Sequence, residues 1–88
     1  MTKYDILEKL MGDYNEYSEL VALNYAQVRE GRIDDGTLEW NRGHLYCIEG
    51  YLIALARDLD VNLTWEFGPH SFGFDDWKRT LEYRTVHY

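Results

Sequence analysis

Residues 7–28 read LEKLMGDYNEYSELVALNYAQV, and apolar side chains recur every three or four positions along this stretch. The positions that keep this step are Leu7, Leu10, Tyr14, Tyr17, Val21, Asn24 and Val28. A step of three and four residues places side chains on one face of an α-helix, as in the seam of a coiled coil. The pattern predicts a first helix over residues 3–30.

A second stretch with the same step follows a turn. Residues 31–36 read GRIDDG, a run of glycines and acids that is typical of a turn. Asp35 or Thr37 is suited to cap the next helix, because either side chain accepts a hydrogen bond from a free N–H group at a helix start. The stepped positions that follow are Leu38, Asn41, Leu45, Ile48, Leu52, Leu55 and Leu59. We predict a second helix over residues 37–60.

The two series of stepped positions match each other as an antiparallel hairpin. Facing residues in such a hairpin have residue numbers with a nearly constant sum, and here every pair from Leu7–Leu59 to Val28–Leu38 adds to 65 or 66. Asn24 and Asn41 fall in the same layer. We interpret them as a buried, hydrogen-bonded layer that fixes the register at some cost in stability. The alternative is that both asparagines lie at an open, wet end beside the turn.

The outer face of the second helix carries a groove of small residues opposite the seam. Its members are Gly43, Cys47, Gly50 and Ala54, and Trp40 and Tyr51 flank them. A glycine inside a helix costs about 1 kcal/mol relative to alanine, so two in one stripe indicate that another element approaches the backbone closely. We expect the C-terminal segment to pack on the second helix here. The alternative is that the groove is a homodimer interface.

The C-terminal segment begins with a strand pattern. Residues 61–67, VNLTWEF, alternate apolar and polar side chains, which predicts a half-buried strand that ends at Gly68-Pro69. Asp75 or Asp76 is suited to start a short helix over residues 75–84, and a second strand paired with residues 61–67 is the alternative. The predicted fold class is mainly α with a small β element, in a single domain over residues 1–88.

Charge and composition limit the partners. The chain of 88 residues has a net charge of −7, and residues 1–36 hold 8 acidic but only 4 basic residues. Direct binding to nucleic acid or to an anionic membrane is disfavoured, because phosphate attracts the opposite sign, and a basic protein partner is favoured. The single cysteine forms no internal disulfide, no apolar run approaches the roughly 20 residues that cross a bilayer, and the N-terminus does not resemble a signal peptide. These features predict a cytoplasmic protein.

Two sets of side chains are candidates for a binding surface. The acidic stripe is defined as the acids on the first helix away from the seam, extended past the turn: Asp5, Glu8, Asp13, Glu16, Glu19, Asp34 and Asp35. Aromatic residues without an assigned place in the core are typical of interface hot spots: Tyr4, Tyr25, Tyr46, Phe72 and Phe74. The alternatives are a solvated helix face for the first set and, for the second, a small chain that cannot bury every aromatic.

Patterns that carry chemistry are missing from the sequence. It contains no GxSxG, P-loop, dinucleotide-binding or HExxH pattern, and so we predict no enzymatic activity, no catalytic residue and no cofactor. His44 and Cys47 lie one helical turn apart, as two metal ligands would, but a third and fourth ligand are not evident. We predict no metal site.

These observations favour a small protein-binding module that inhibits a basic, nucleic-acid-handling host protein by occupying its phosphate-binding surface. In size and charge the chain resembles phage-encoded inhibitors of host defence, such as anti-CRISPR proteins and DNA mimics, a likeness of composition alone. Two alternatives come from other classes of protein. One is a self-assembling structural or adaptor protein that dimerises through the groove, and the other is an immunity or antitoxin protein that neutralises a basic toxin.

Overall fold

A computed structural model describes the backbone of residues 1–74 and 77–88, and the side chains of residues 1–66 and 84–88. The elements in chain order are α1 (Lys3–Arg29), α2 (Asp35–Asp58), β1 (Thr64–Phe74) and β2 (Trp77–His87). The predicted antiparallel hairpin of two long helices is confirmed, and the fold is mainly α with a small antiparallel sheet. Within the described part of the chain, neither helix is both long and apolar enough to span a membrane.

Short polar side chains start both helices. Thr2 and Asp5 form a capping box at the start of α1, in which each side chain accepts a hydrogen bond from the backbone N–H of the other residue. Asp34 caps α2, and its carboxylate accepts the backbone N–H of Thr37 at 3.0 Å. The prediction of Asp35 or Thr37 as the cap is wrong, because the extended backbone of Asp34 already directs its carboxylate at the first free N–H groups.

The seam between α1 and α2 forms the centre of the core. All apolar members of both stepped series belong to the core cluster or pack against it. Leu7, Val21 and Leu52 are fully buried. The amide nitrogen of Asn41 donates a hydrogen bond to the amide oxygen of Asn24, which is 4% exposed. The predicted hydrogen-bonded asparagine pair is therefore confirmed, with Asn24 buried and Asn41 half-buried.

The C-terminal segment is a strand pair rather than a strand and a helix. β1 pairs antiparallel with β2 from Thr64↔His87 to Phe74↔Trp77. The second strand that the sequence left as an alternative is confirmed, and the short helix over residues 75–84 is wrong. The cap predicted at residue 75 or 76 lies outside the described residues.

The predicted end of the first strand at Gly68-Pro69 is also wrong, because β1 continues to Phe74. In an antiparallel ladder, the backbone N–H and C=O groups of successive residues point alternately towards the partner strand and away from it. Val86 directs its backbone groups away from β1, towards Asn15, and its partner in the register is Trp65. Pro69 lies two steps of two residues beyond Trp65, so its nitrogen also faces away from the paired strand. A proline is tolerated at such a position because no N–H group is needed there.

The strand pair packs against α1, and the prediction that it packs on α2 is wrong. The Asn15 side chain donates to the carbonyl of Val86 at 3.0 Å and accepts from its N–H at 2.8 Å. The Ser18 hydroxyl donates to the carbonyl of Arg84. The strand backbone approaches α1 on the side of Ser18 and Ala22, which are fully buried. Their small side chains leave room for this approach.

Candidate functional site

The acids of the stripe on α1 lie on its solvent side. Asp5, Glu8, Glu16 and Glu19 are exposed and Asp13 is half-buried. At 1.5 Å per residue they extend over about 21 Å of helix. The sheet borders this face, and the Tyr88 hydroxyl donates a hydrogen bond to Glu8 at 2.8 Å. This hydrogen bond to a carboxylate raises the pKa of Tyr88 above its ordinary value.

Several acids of the stripe also have structural roles. Asp5 belongs to the capping box of α1, and Asp34 caps α2. Asp13 pairs with Lys9 at 3.5 Å, an exposed pair one helical turn apart that contributes roughly 0–1 kcal/mol. Glu8, Glu16 and Glu19 cap no helix, so their charges can be removed without exposing helix-terminal N–H groups.

The structure separates the turn acids from the rest of the stripe. Asp34 and Asp35 lie at the start of α2, beyond the end of α1 at Arg29. Glu19 is about 15 Å from that end along the helix axis. The compact part of the acidic stripe is therefore the part on α1.

The aromatic candidates do not form one patch. Tyr4 is 53% exposed and Tyr46 is 55% exposed. Because facing residue numbers add to 65 or 66, Tyr4 is level with residue 61, which is fifteen residues from Tyr46. The two tyrosines are therefore about 22 Å apart along the hairpin. Tyr25 is partly buried against the core, with the Arg42 guanidinium 5.8 Å from its ring centroid. The side chains of Phe72 and Phe74 are outside the described residues.

The groove on α2 is open, in contrast to the prediction that the C-terminal segment fills it. Gly43, Cys47, Gly50 and Ala54 are exposed. A Cβ atom added to Gly43 or Gly50 would meet no described atom within 4 Å. The reason is that the strand pair lies on α1 instead.

The aromatic rings beside the groove contact one another through His44. The His44 ring stacks on Tyr17 with 5.6 Å between centroids and meets Trp40 edge-on at 5.2 Å. A shallow cleft beside these rings is lined by Glu39, Trp40, Gly43, His44 and Cys47. Among the side chains that the structure describes, no three potential metal ligands cluster together.

Arg84 links the sheet to both helices, a role that the sequence pattern did not reveal. Its guanidinium lies 4.3 Å from the ring centroid of Trp65 and forms an ion pair with Glu49 on α2. Burial raises the pKa of the Tyr14 phenol above its ordinary value, and the positive charge of Arg84 opposes this rise. Arg84 therefore has a structural role at the place where α1, α2 and the sheet meet.

Two surfaces remain as candidates for binding, the acidic stripe on α1 and the open outer face of α2. They are carried by different helices. Comparison of the chain with protein-family models, with curated proteins and with solved structures finds no match.

Proposed function

We propose that this chain is a small, non-enzymatic cytoplasmic protein that inhibits a basic, nucleic-acid-handling protein by occupying its phosphate-binding surface. The observation that supports this function is the exposed row of carboxylates along α1. Four of the five acids are exposed and Asp13 is half-buried, and Glu8 lies at the edge beside the sheet, where it accepts the Tyr88 hydroxyl.

The spacing of the carboxylates supports mimicry of a phosphate backbone. The four exposed acids on α1 extend over about 21 Å, which gives one negative charge per roughly 5–7 Å. One strand of duplex DNA carries one phosphate per about 3.4 Å of helix axis. A cleft lined with lysine and arginine would therefore meet a row of negative charge along this helix at about half the density of one DNA strand.

The charges of the stripe act together rather than singly. An exposed ion pair contributes roughly 0–1 kcal/mol, so no single acid dominates binding. A row of like charges nevertheless accelerates association with an oppositely charged surface, and salt screens this attraction over about 8–10 Å. The partner should therefore bind more slowly as salt rises, and nucleic acid should compete for it.

The test compares two variants with the same change in net charge. The stripe variant combines Glu8→Gln, Glu16→Gln and Glu19→Gln, and the matched control combines Asp58→Asn, Asp60→Asn and Glu66→Gln, three acids outside α1. The immobilised parent chain first captures its partner from cell lysate, and the purified partner is then titrated at low and high salt. Three lost contacts of about 0.5 kcal/mol each should weaken binding by the stripe variant about tenfold. The control should bind like the parent, and added duplex DNA should displace the protein.

Two results would contradict the proposal. Equal losses in the stripe variant and the control would mean that net charge acts without regard to its position. Undiminished binding by the stripe variant at both salt concentrations would mean that the stripe is only a solvated helix face. Circular dichroism of each variant provides the check that the helices are intact.

A further inference from the structure

The outer face of α2 exposes large apolar side chains beside the open groove. Trp40 is 71% exposed, Tyr51 67%, Tyr46 55% and Ile53 42%. Contiguous exposed apolar surface on a small protein marks an interaction site, and aromatic side chains supply much of the binding energy at such sites. The charges around this face indicate which kind of molecule is suited to bind there.

The charges on this face match those of a second copy in the opposite orientation. Glu39 and Arg57 are eighteen residues apart, or five helical turns, and so they lie on the same side of α2. A twofold axis that runs perpendicular to the helix, between the two copies and level with Ile48, reverses the direction of the helix. It brings Glu39 of each copy level with Arg57 of the other, so that opposite charges face each other twice.

Both charged groups are available for such contacts. Glu39 is exposed and pairs with Arg42 at 3.0 Å, one turn away on its own helix. Arg57 is exposed and forms no ion pair with the residues that the structure describes. The same face of the isolated chain thus has an acid held by one exposed ion pair at one end and, at the other end, a base with no ion-pair partner among the described side chains.

The same twofold axis aligns the groove with itself. Gly43 becomes nearly level with Ala54 of the other copy, and Cys47 with Gly50, since both pairs add to 97 and Glu39 and Arg57 add to 96. Small residues therefore meet small residues along the line of closest approach, and the two helix axes can approach to the 8–10 Å of packed helices. The exposed aromatic side chains then cover the edges of the contact.

The distribution of charge also favours this arrangement. Near the groove, Glu39 and Asp58 are balanced by Arg42 and Arg57, whereas the compact part of the acidic stripe lies on α1. Two copies that meet through α2 hold their stripes apart. The face is about 36 Å long, and at a helix diameter of about 10–12 Å it offers roughly 360–430 Å² per copy. This is below the roughly 800 Å² per partner of a standard interface, so we expect a weak, reversible dimer.

From these observations we propose that two copies of this chain associate, antiparallel, through the outer faces of α2. The proposal is independent of the function assigned to the acidic stripe. It predicts a reversible dimer whose population rises with protein concentration.

Charge reversal tests the register of the dimer. Sedimentation equilibrium over a series of concentrations measures the dissociation constant of the parent and of three variants. Arg57→Glu places like charges opposite each other twice and should weaken the dimer about tenfold or more. The double variant Glu39→Arg with Arg57→Glu restores opposite charges and should recover most of the affinity. Lys9→Glu changes the net charge as much as Arg57→Glu does, but on α1, and should leave the dissociation constant unchanged.

A bulky residue in the groove tests the close approach. Gly50→Leu adds a side chain where a Cβ atom meets no described neighbour, and it removes a glycine from a helix. The free energy of unfolding of its monomer should therefore equal or exceed that of the parent. The variant should nevertheless remain monomeric at concentrations where the parent dimerises. A parent chain that is monomeric throughout the series would overturn the proposal. A dimer that neither Arg57→Glu nor Gly50→Leu weakens would also overturn it, because another face would then form the contact.

Discussion

The two helices are similar in length but differ in how much of each is buried. α1 has 27 residues and buries eight side chains, whereas α2 has 24 residues and buries four. The difference arises because α1 packs against α2 on one side and against the sheet on another. The buried side chains of α1 include Ser18 and Asn24, while Trp40 on α2 is 71% exposed. Burial thus follows from the position of the neighbouring element, and a polar residue is buried where its hydrogen bonds are made.

The largest expected effect comes from the seam, where α1 and α2 are buried against each other. Leu52 is fully buried in the core with Tyr14, so Leu52→Ala should open a cavity and lower the free energy of unfolding by about 2–5 kcal/mol. Leu20 on α1 is 37% exposed, and Leu20→Ala provides the matched control with the same chemical change. We expect the control to cost less than about 1 kcal/mol in urea denaturation. Equal costs would mean that the seam is not the main packed surface.

An intermediate effect is expected from the face of α1 that packs against the sheet, which has no counterpart on α2. Asn15→Ala removes both hydrogen bonds to Val86 and leaves a buried N–H and C=O without partners, which should cost about 1–3 kcal/mol. Hydrogen exchange of the Val86 amide should accelerate at the same time, and this readout is specific to the contact between helix and strand. Glu16→Ala, at the exposed neighbouring position, serves as the control. An unchanged exchange rate at Val86 would show that the sheet does not depend on α1 at this point.

The smallest net effect is expected at the asparagine layer. Asn24→Leu alone leaves the Asn41 amide without its partner and should cost about 1–2 kcal/mol. Asn24→Leu with Asn41→Leu replaces the pair by apolar side chains and should match or exceed the parent in stability, while the register becomes less specific. A double-mutant cycle in urea should therefore give a coupling of at least about 1 kcal/mol. Additive effects would show that the two amides do not depend on each other.

The helical hairpin was predictable from the sequence because its signals are local and repeated. Each seam is a long series of steps of three and four residues, and the constant sum of residue numbers fixes how the two series face each other. The asparagine layer followed from the same register, since Asn24 and Asn41 interrupt the two series at the same level. Bounds were less predictable, because Asp34, Asp35 and Thr37 are all suited to cap a helix and only the backbone conformation distinguishes them.

The C-terminal segment was harder to predict because a strand depends on its partner. Gly68-Pro69 is typical of a strand end, but in β1 the proline faces away from β2 and pairing continues past it. The helix that the sheet covers was also predicted wrongly. Glycines at positions 43 and 50 drew attention to α2, whereas Ser18, Ala22 and Ala26, which step by four along α1, are the small residues that are buried. Small residues show that close approach is possible, but they do not show which element makes it.

The candidate site was predictable in the same uneven way. The charge pattern places the acids of α1 on a solvent-exposed face because the seam fixes which side of the helix is covered. It did not reveal that Asp5 and Asp34 are caps or that Tyr88 reaches Glu8, since these contacts depend on the ends of elements and on a residue 80 positions away.

The hydrogen bonds between Asn15 and Val86 have a consequence for the behaviour of the protein at high concentration. A strand edge with free N–H and C=O groups templates the addition of further strands, which is the first step towards fibrils. Along β2, the Asn15 amide takes the place of a third strand at Val86, and Ser18 occupies the carbonyl of Arg84. Along β1, the nitrogen of Pro69 carries no hydrogen and faces away from β2. Addition of a strand is therefore blocked by helix side chains at Arg84 and Val86 of β2, and along β1 it loses one hydrogen bond at the nitrogen of Pro69.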